Sequence, residues 1–261
     1  MIEKRRLTDL SWILVSKEKL MLVLERIKQH AFTYKISSET LLMMECSFEG
    51  ETCYLVVEKC GECSLIHESI KELKKRSLSR EFISIETMVH YCAKEIGSGP
   101  QSLPMLTDND VFGQFKTMHG VSVWLNLKAV TKLERCSDIV NQSTTLVSLS
   151  PNTRLIIPVQ LRYVKQRMID NLSTYFYYLH LMMGIFSGSD DIFSYYQQRL
   201  TDFTPHYYHF VKGSKKIFID VNYESFSTLL ATELVYHLAY QRDKTVERQE
   251  IAELLAPYLM L

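Results

Sequence analysis

Glycine and proline are scarce in this chain, 9 and 6 residues of 261, and neither sign of charge is in excess, with 30 Lys+Arg against 30 Asp+Glu. So few turn formers beside 46% hydrophobic residues exclude collagen-like and low-complexity disordered architectures, because such a chain buries enough apolar surface to offset its conformational entropy. Zero net charge removes any whole-molecule attraction to nucleic acid or anionic lipid, so a polyanion site has to be a local patch. No apolar run reaches the roughly 20 residues that a membrane-spanning helix needs. The most apolar stretch, Leu172 to Phe186, is interrupted by Ser173, Thr174 and His180. The basic start Lys4-Arg5-Arg6 leads into Asp9, Ser11, Lys17 and Glu18 instead of a signal-type apolar core, and the expectation is a cytoplasmic protein without a membrane anchor.

Reaction markers are missing as well. The sequence has no phosphate-binding GxxxxGK loop, no GxGxxG, no GxSxG, no HExxH and no zinc-deaminase signature. No cofactor, metal or catalytic residue is therefore expected, and the balance leans away from an enzyme.

What is present is a sequence patterned for both helices and strands. Leu20, Val23, Leu24, Ile27 and Ala31 form one helical stripe from about Ser16. Residues 41–48 and 52–57 flank Glu49-Gly50 and read as a hairpin with a two-residue turn, opposing Phe48 to Glu51, Cys46 to Cys53, Met44 to Leu55 and Leu42 to Val57. Ile66, Ile70 and Leu73 suggest a second helix, and Ile85, Val89, Cys92 and Ile96 a third, with Ser84 placed to cap it.

Turn formers concentrate at 97–104 and 107–110, which sets a boundary loop at 97–110 between an N-terminal α+β unit, 1–98, and a C-terminal one, 107–261; a surface loop within a single domain is the alternative. Beyond it, alternation over Val121–Leu127 and two β-rich runs, 144–149 and 153–159, joined at Pro151-Asn152, point to one antiparallel sheet across 121–159. A long helix near 161–186 carries Met168, Leu172, Tyr175, Leu179, Met182 and Phe186, and with Tyr177, Tyr178 and Leu181 its C-terminal half is apolar almost all round, so it must be enclosed. Asp190-Asp191 suits a helix start. A second hairpin is expected over 207–221 around Gly213-Ser214, then helices over about 223–241 and from 246 onward. The class is α+β.

Several side-chain groups have the composition of a reactive or metal-binding site. Cys60-x-x-Cys63 with His67 and Cys53 offers four zinc-type ligands, but the hairpin register turns Cys53 toward Cys46, and an extended strand to Cys60 spans about 23 Å. A thioredoxin-like role needs the CxxC to open a helix after a strand, for which a helix start near Leu65 is compatible. The plainer reading makes Cys46, Cys53 and Cys92 reduced core residues. His206 and His209, three apart on a strand, face opposite ways and cannot share a metal, while His180 and His237 sit on apolar helical faces without a recognisable partner. Asp220 and Glu224 lie at a strand-to-helix junction with no third ligand in view.

Basic residues cluster at Lys71, Lys74, Lys75 and Arg76 and at the expected hairpin tip Lys212, Lys215 and Lys216, and together they define a candidate phosphate-contacting surface. The segment Leu229–Leu234 followed by Val246–Leu255 resembles the first two helices of a winged-helix DNA-binding domain, with a valine-x-arginine stretch opening the second. The six residues after Leu255 hold no counterpart of its recognition helix and wing. The leading expectation is instead a non-enzymatic interaction module, an adaptor, regulatory subunit or assembly component with a protein partner or a second copy of itself. It rests on 15 Tyr, 12 Phe and 11 Met, types enriched at interfaces. The candidate contact residues are Tyr175, Tyr178, Met182 and Phe186 on the long helix and Tyr258, Leu259 and Leu261 at the end of the chain. Nucleic-acid binding through the basic patches and an enzyme without a familiar motif are the alternatives.

Overall fold

The hairpin forms as its pattern dictates. In the computed structural model, which describes residues 30–31, 34–59, 62–77, 85–99, 103–107, 110–117, 120–136, 144–150, 153–188, 190–212, 226–227, 229 and 231–232, strand β2 (Thr40–Phe48) pairs antiparallel with β3 (Glu51–Glu58). All four expected pairings are found, from Phe48 opposite Glu51 to Leu42 opposite Val57. The turn places both Glu49 and Gly50 in the left-handed region, at φ 50° and 85°. Positive φ at both central residues marks the type I′ hairpin turn, whose twist matches that of the strands. Glycine adopts it freely, whereas Glu49 carries a steric cost.

This hairpin is the centre of a seven-stranded sheet ordered β1-β4-β3-β2-β7-β6-β5, in which β1 is His30–Ala31, β4 is Cys63–Ile66, β5 is Met105–Leu106, β6 is Val111–Lys116 and β7 is Ser122–Asn126. Only β1 against β4 is parallel. Because β2 bonds β7, strands from both sides of the 97–110 segment are direct neighbours, and a division of the chain there passes through one hydrogen-bonded sheet. Three further strands, β8 (Val130–Cys136), β9 (Thr144–Leu149) and β10 (Thr153–Ile157), form a second antiparallel sheet. The strands of 121–159 thus divide between two sheets instead of sharing one. A 3-10 turn, Leu127–Ala129, carries the chain from the first sheet to the second.

Helices α1 (Ile70–Ser77) and α2 (Ile85–Glu95) stand where the apolar spacing predicts, although Ile66 belongs to β4 and not to a helix. Helix α3 (Leu161–Ile185) is the long apolar helix, and it is enclosed: it packs on β6, β8 and β9, with α2 and α4 (Asp190–Val211) at its sides. Each large side chain fully buried there contributes about 1.5–3 kcal/mol relative to exposure. Ring contacts lock the α3–α4 pair. Tyr175 meets Phe203 edge-on at 4.8 Å between centroids, and Phe176 lies flat on Tyr207 at 4.1 Å and 2°.

Helix α4 corrects one expectation. Residues 207–211, read as the first strand of a hairpin over 207–221, are its last turns. Tyr196, Leu200, Phe203, Tyr207 and Val211 recur at helical spacing and lie against the core, and that stripe outweighs the strand preference of Tyr207-Tyr-His-Phe-Val211. The helix expected from Ser16 is corrected at its end, since Ala31 belongs to strand β1, paired with Ile66, and its earlier residues lie outside the described residues. The remainder of the 207–221 hairpin, the cap at Ser84 and most of the helices expected beyond 223 lie outside them too. Residues 226–227, 229 and 231–232 are helical. The α+β class stands, with antiparallel sheets packed against a long buried helix.

Candidate functional site

Polar side chains converge where the 107–110 turn, the end of β7, α3 and α4 meet. The turn is closed by Asp110 N–H donating to Thr107 Oγ1 at 3.1 Å and Thr107 N–H donating to the Asp110 carbonyl at 3.0 Å, which points the Asp110 carboxylate inward. Asn126, buried at the end of β7, caps the 3-10 turn by accepting from Lys128 N–H at 3.1 Å. Its amide donates to Asp110 Oδ1 and to the Thr40 carbonyl, both at 3.1 Å. One side chain therefore ties β2, the 107–110 turn and the 3-10 turn together.

Arg199 of α4 reaches the same place. Its guanidinium donates to Tyr175 Oη at 2.9 Å, to Tyr195 Oη at 3.0 Å and to the Thr107 carbonyl at 3.3 Å, and lies over the Tyr195 ring at 5.1 Å. Burial pushes the Tyr175 phenol up to about 12, against the opposing pull of the Arg199 charge, so Tyr175 stays neutral and accepts from the guanidinium. Burial also holds Lys128 below the ordinary lysine value, although Asp110 opposes it. His206 sits one face along α4, with Nε2 2.8 Å from the Leu127 carbonyl, and its pKa is lowered chiefly by burial.

Three of these groups keep polar atoms without a hydrogen-bond partner: Asp110 Oδ2, Arg199 Nε and both amide atoms of Asn171 on α3, one turn before Tyr175. Gly113 on β6 makes room for Asn171, since a β-carbon there would stand 2.8 Å from Asn171 Nδ2 and 3.1 Å from both Leu127 methyls. The cluster brings opposite charges and hydroxyl groups together, a condition for ligand binding or proton transfer. Its contacts are mostly spent on holding α4 to the sheet.

The residues singled out from sequence are distributed differently. Tyr175, Tyr178 and Met182 are buried by the chain itself and Phe186 half-buried, so the face expected to await a partner is covered by α4 and α2. Tyr258, Leu259 and Leu261 lie outside the described residues. Among the described residues the exposed large apolar side chains are others: Ile192 at 40%, Tyr195 at 44% and Tyr208 at 56% on α4, and Tyr163 at 38% at the start of α3. Two of these tyrosines are braced by an arginine four residues on, Tyr195 by Arg199 and Tyr163 by Arg167 at 2.9 Å. Lys71 on α1 and Lys212 just past α4 are exposed. The side chains of Lys74, Lys75 and Arg76 and the whole of Lys215 and Lys216 lie outside the described residues.

The cysteine and histidine groups also resolve. Cys46 and Cys53 face each other in the core, as the register requires, and burial raises both thiols, Cys46 up to about 12. Cys63 opens strand β4, so no helix begins behind the CxxC and the thioredoxin-like placement does not form. That added strand carries His67 next to Cys53, 3.3 Å from Sγ to Nδ1, with Glu51 Oε2 3.6 Å from the same nitrogen. A catalytic relay needs thiol and carboxylate on opposite ring nitrogens. Among the described residues no three His, Cys, Asp or Glu side chains gather to hold a metal, and Cys60, His237, Asp220 and Glu224 are outside them. His206 and His209 share a helix and not a strand; His206 is tied to the backbone while His209 is exposed. His180 is half-buried against Phe176.

Asp110, Asn126, Lys128 and Arg199 escape sequence reading because their signals are ordinary: a turn Asp, a strand-end Asn, a lone Lys and an Arg in a helix. Only the fold brings them together across 92 positions, from Thr107 to Arg199. No helix among the described residues is long and apolar enough to cross a membrane. No family model matches the chain, and no curated protein and no solved structure matches it.

Proposed function

We propose that the chain works by binding another protein, without catalysis, through the outer face of α4. One observation carries this reading: the chain covers the aromatic side of α3 almost completely yet leaves Ile192, Tyr195 and Tyr208 open on the next helix, with Tyr195 hydrogen-bonded to Arg199. Tyrosine and arginine are the residue types that dominate binding energy at protein interfaces, and a braced tyrosine loses little conformational freedom on contact. The adaptor, regulatory or assembly role expected from composition is retained, moved from α3 to α4.

A second reading has its own observation. Asp110, Lys128, Tyr175 and Arg199 meet at one junction, and such a cluster favours a small-molecule or catalytic site. Asp110 and Arg199 are engaged in closing the fold, and this weighs for the interaction reading.

The test is capture of partners from extracts of the source cell by the full chain and by its Tyr195→Ala/Tyr208→Ala variant, with each captured protein's affinity then measured. A specific partner should bind the variant at least about tenfold more weakly, the loss of one interface anchor or more. Equal affinity for wild type and variant would remove the α4 face from the proposal.

A further inference from the structure

We draw no further inference here: the strongest candidate, the leftover polar atoms of Asp110, Asn171 and Arg199 where the 107–110 turn meets α3 and α4, belongs to the site already described, and nothing in the structure shows what ligand chemistry would meet them.

Discussion

Gly113 and Asn171 show how single residues set the junction between the large sheet and α3. Asn171 is buried at 1% exposure and presses its amide on the backbone of β6, an approach that any side chain at position 113 would block. Gly113→Ala should therefore destabilise the protein by about 1–3 kcal/mol, the usual cost of overpacking a tight core. Truncating Asn171 to Ala removes the closest atom of the clash together with two unpartnered polar atoms, so Gly113→Ala should cost less in the Asn171→Ala background. Urea unfolding of the four proteins checks this as a double-mutant cycle. Additive costs would show that the two residues do not meet.

Elements explain why part of the fold was legible and part was not. The 41–57 hairpin could be read to the residue because a two-residue turn fixes register and every apolar pair agrees with it. Helix α3 was legible for a similar reason, its apolar positions repeating from Met168 to Phe186 at alternating spacings of four and three. By contrast β5, with two residues, and β4, with four, are too short to display a period, and they exist because neighbouring strands supply their partners. Helix α4 was misread at its end, where Pro205 interrupts the pattern and an aromatic, β-branched run follows. Pro205 offers no N–H to the carbonyl one turn back, and yet the packed stripe carries the helix through it. Pro205→Ala should raise the unfolding free energy by about 1–3 kcal/mol and increase far-ultraviolet helicity. In a strand, neither gain is expected. The polar junction was not legible at all, since its members are far apart in sequence and each has a common local explanation.

For the molecule as a whole, stability should weaken in mild acid. Burial lowers the pKa of both His180 and His206 below the ordinary 6.5. Above that value both are neutral in either state and contribute no slope. As pH falls through it, the unfolded chain takes up protons first, so stability is lost until pH drops below the folded-state values. Unfolding free energy measured between pH 8 and 5 should decline below about 6.5, and His206→Gln should flatten that decline; an unchanged slope would mean His206 titrates freely.

The same scale decides function, because the proposal depends on which aromatic surface the folded chain leaves open. Tyr175 is enclosed and Tyr195 exposed, at 1% and 44%. A photo-crosslinking phenylalanine analogue placed at position 195 or at position 175, with the full chain expressed in its source cell, separates the two. Intermolecular adducts to a defined protein are expected from position 195 and none from position 175. Adducts from 175 alone, or none from 195, would contradict the proposal.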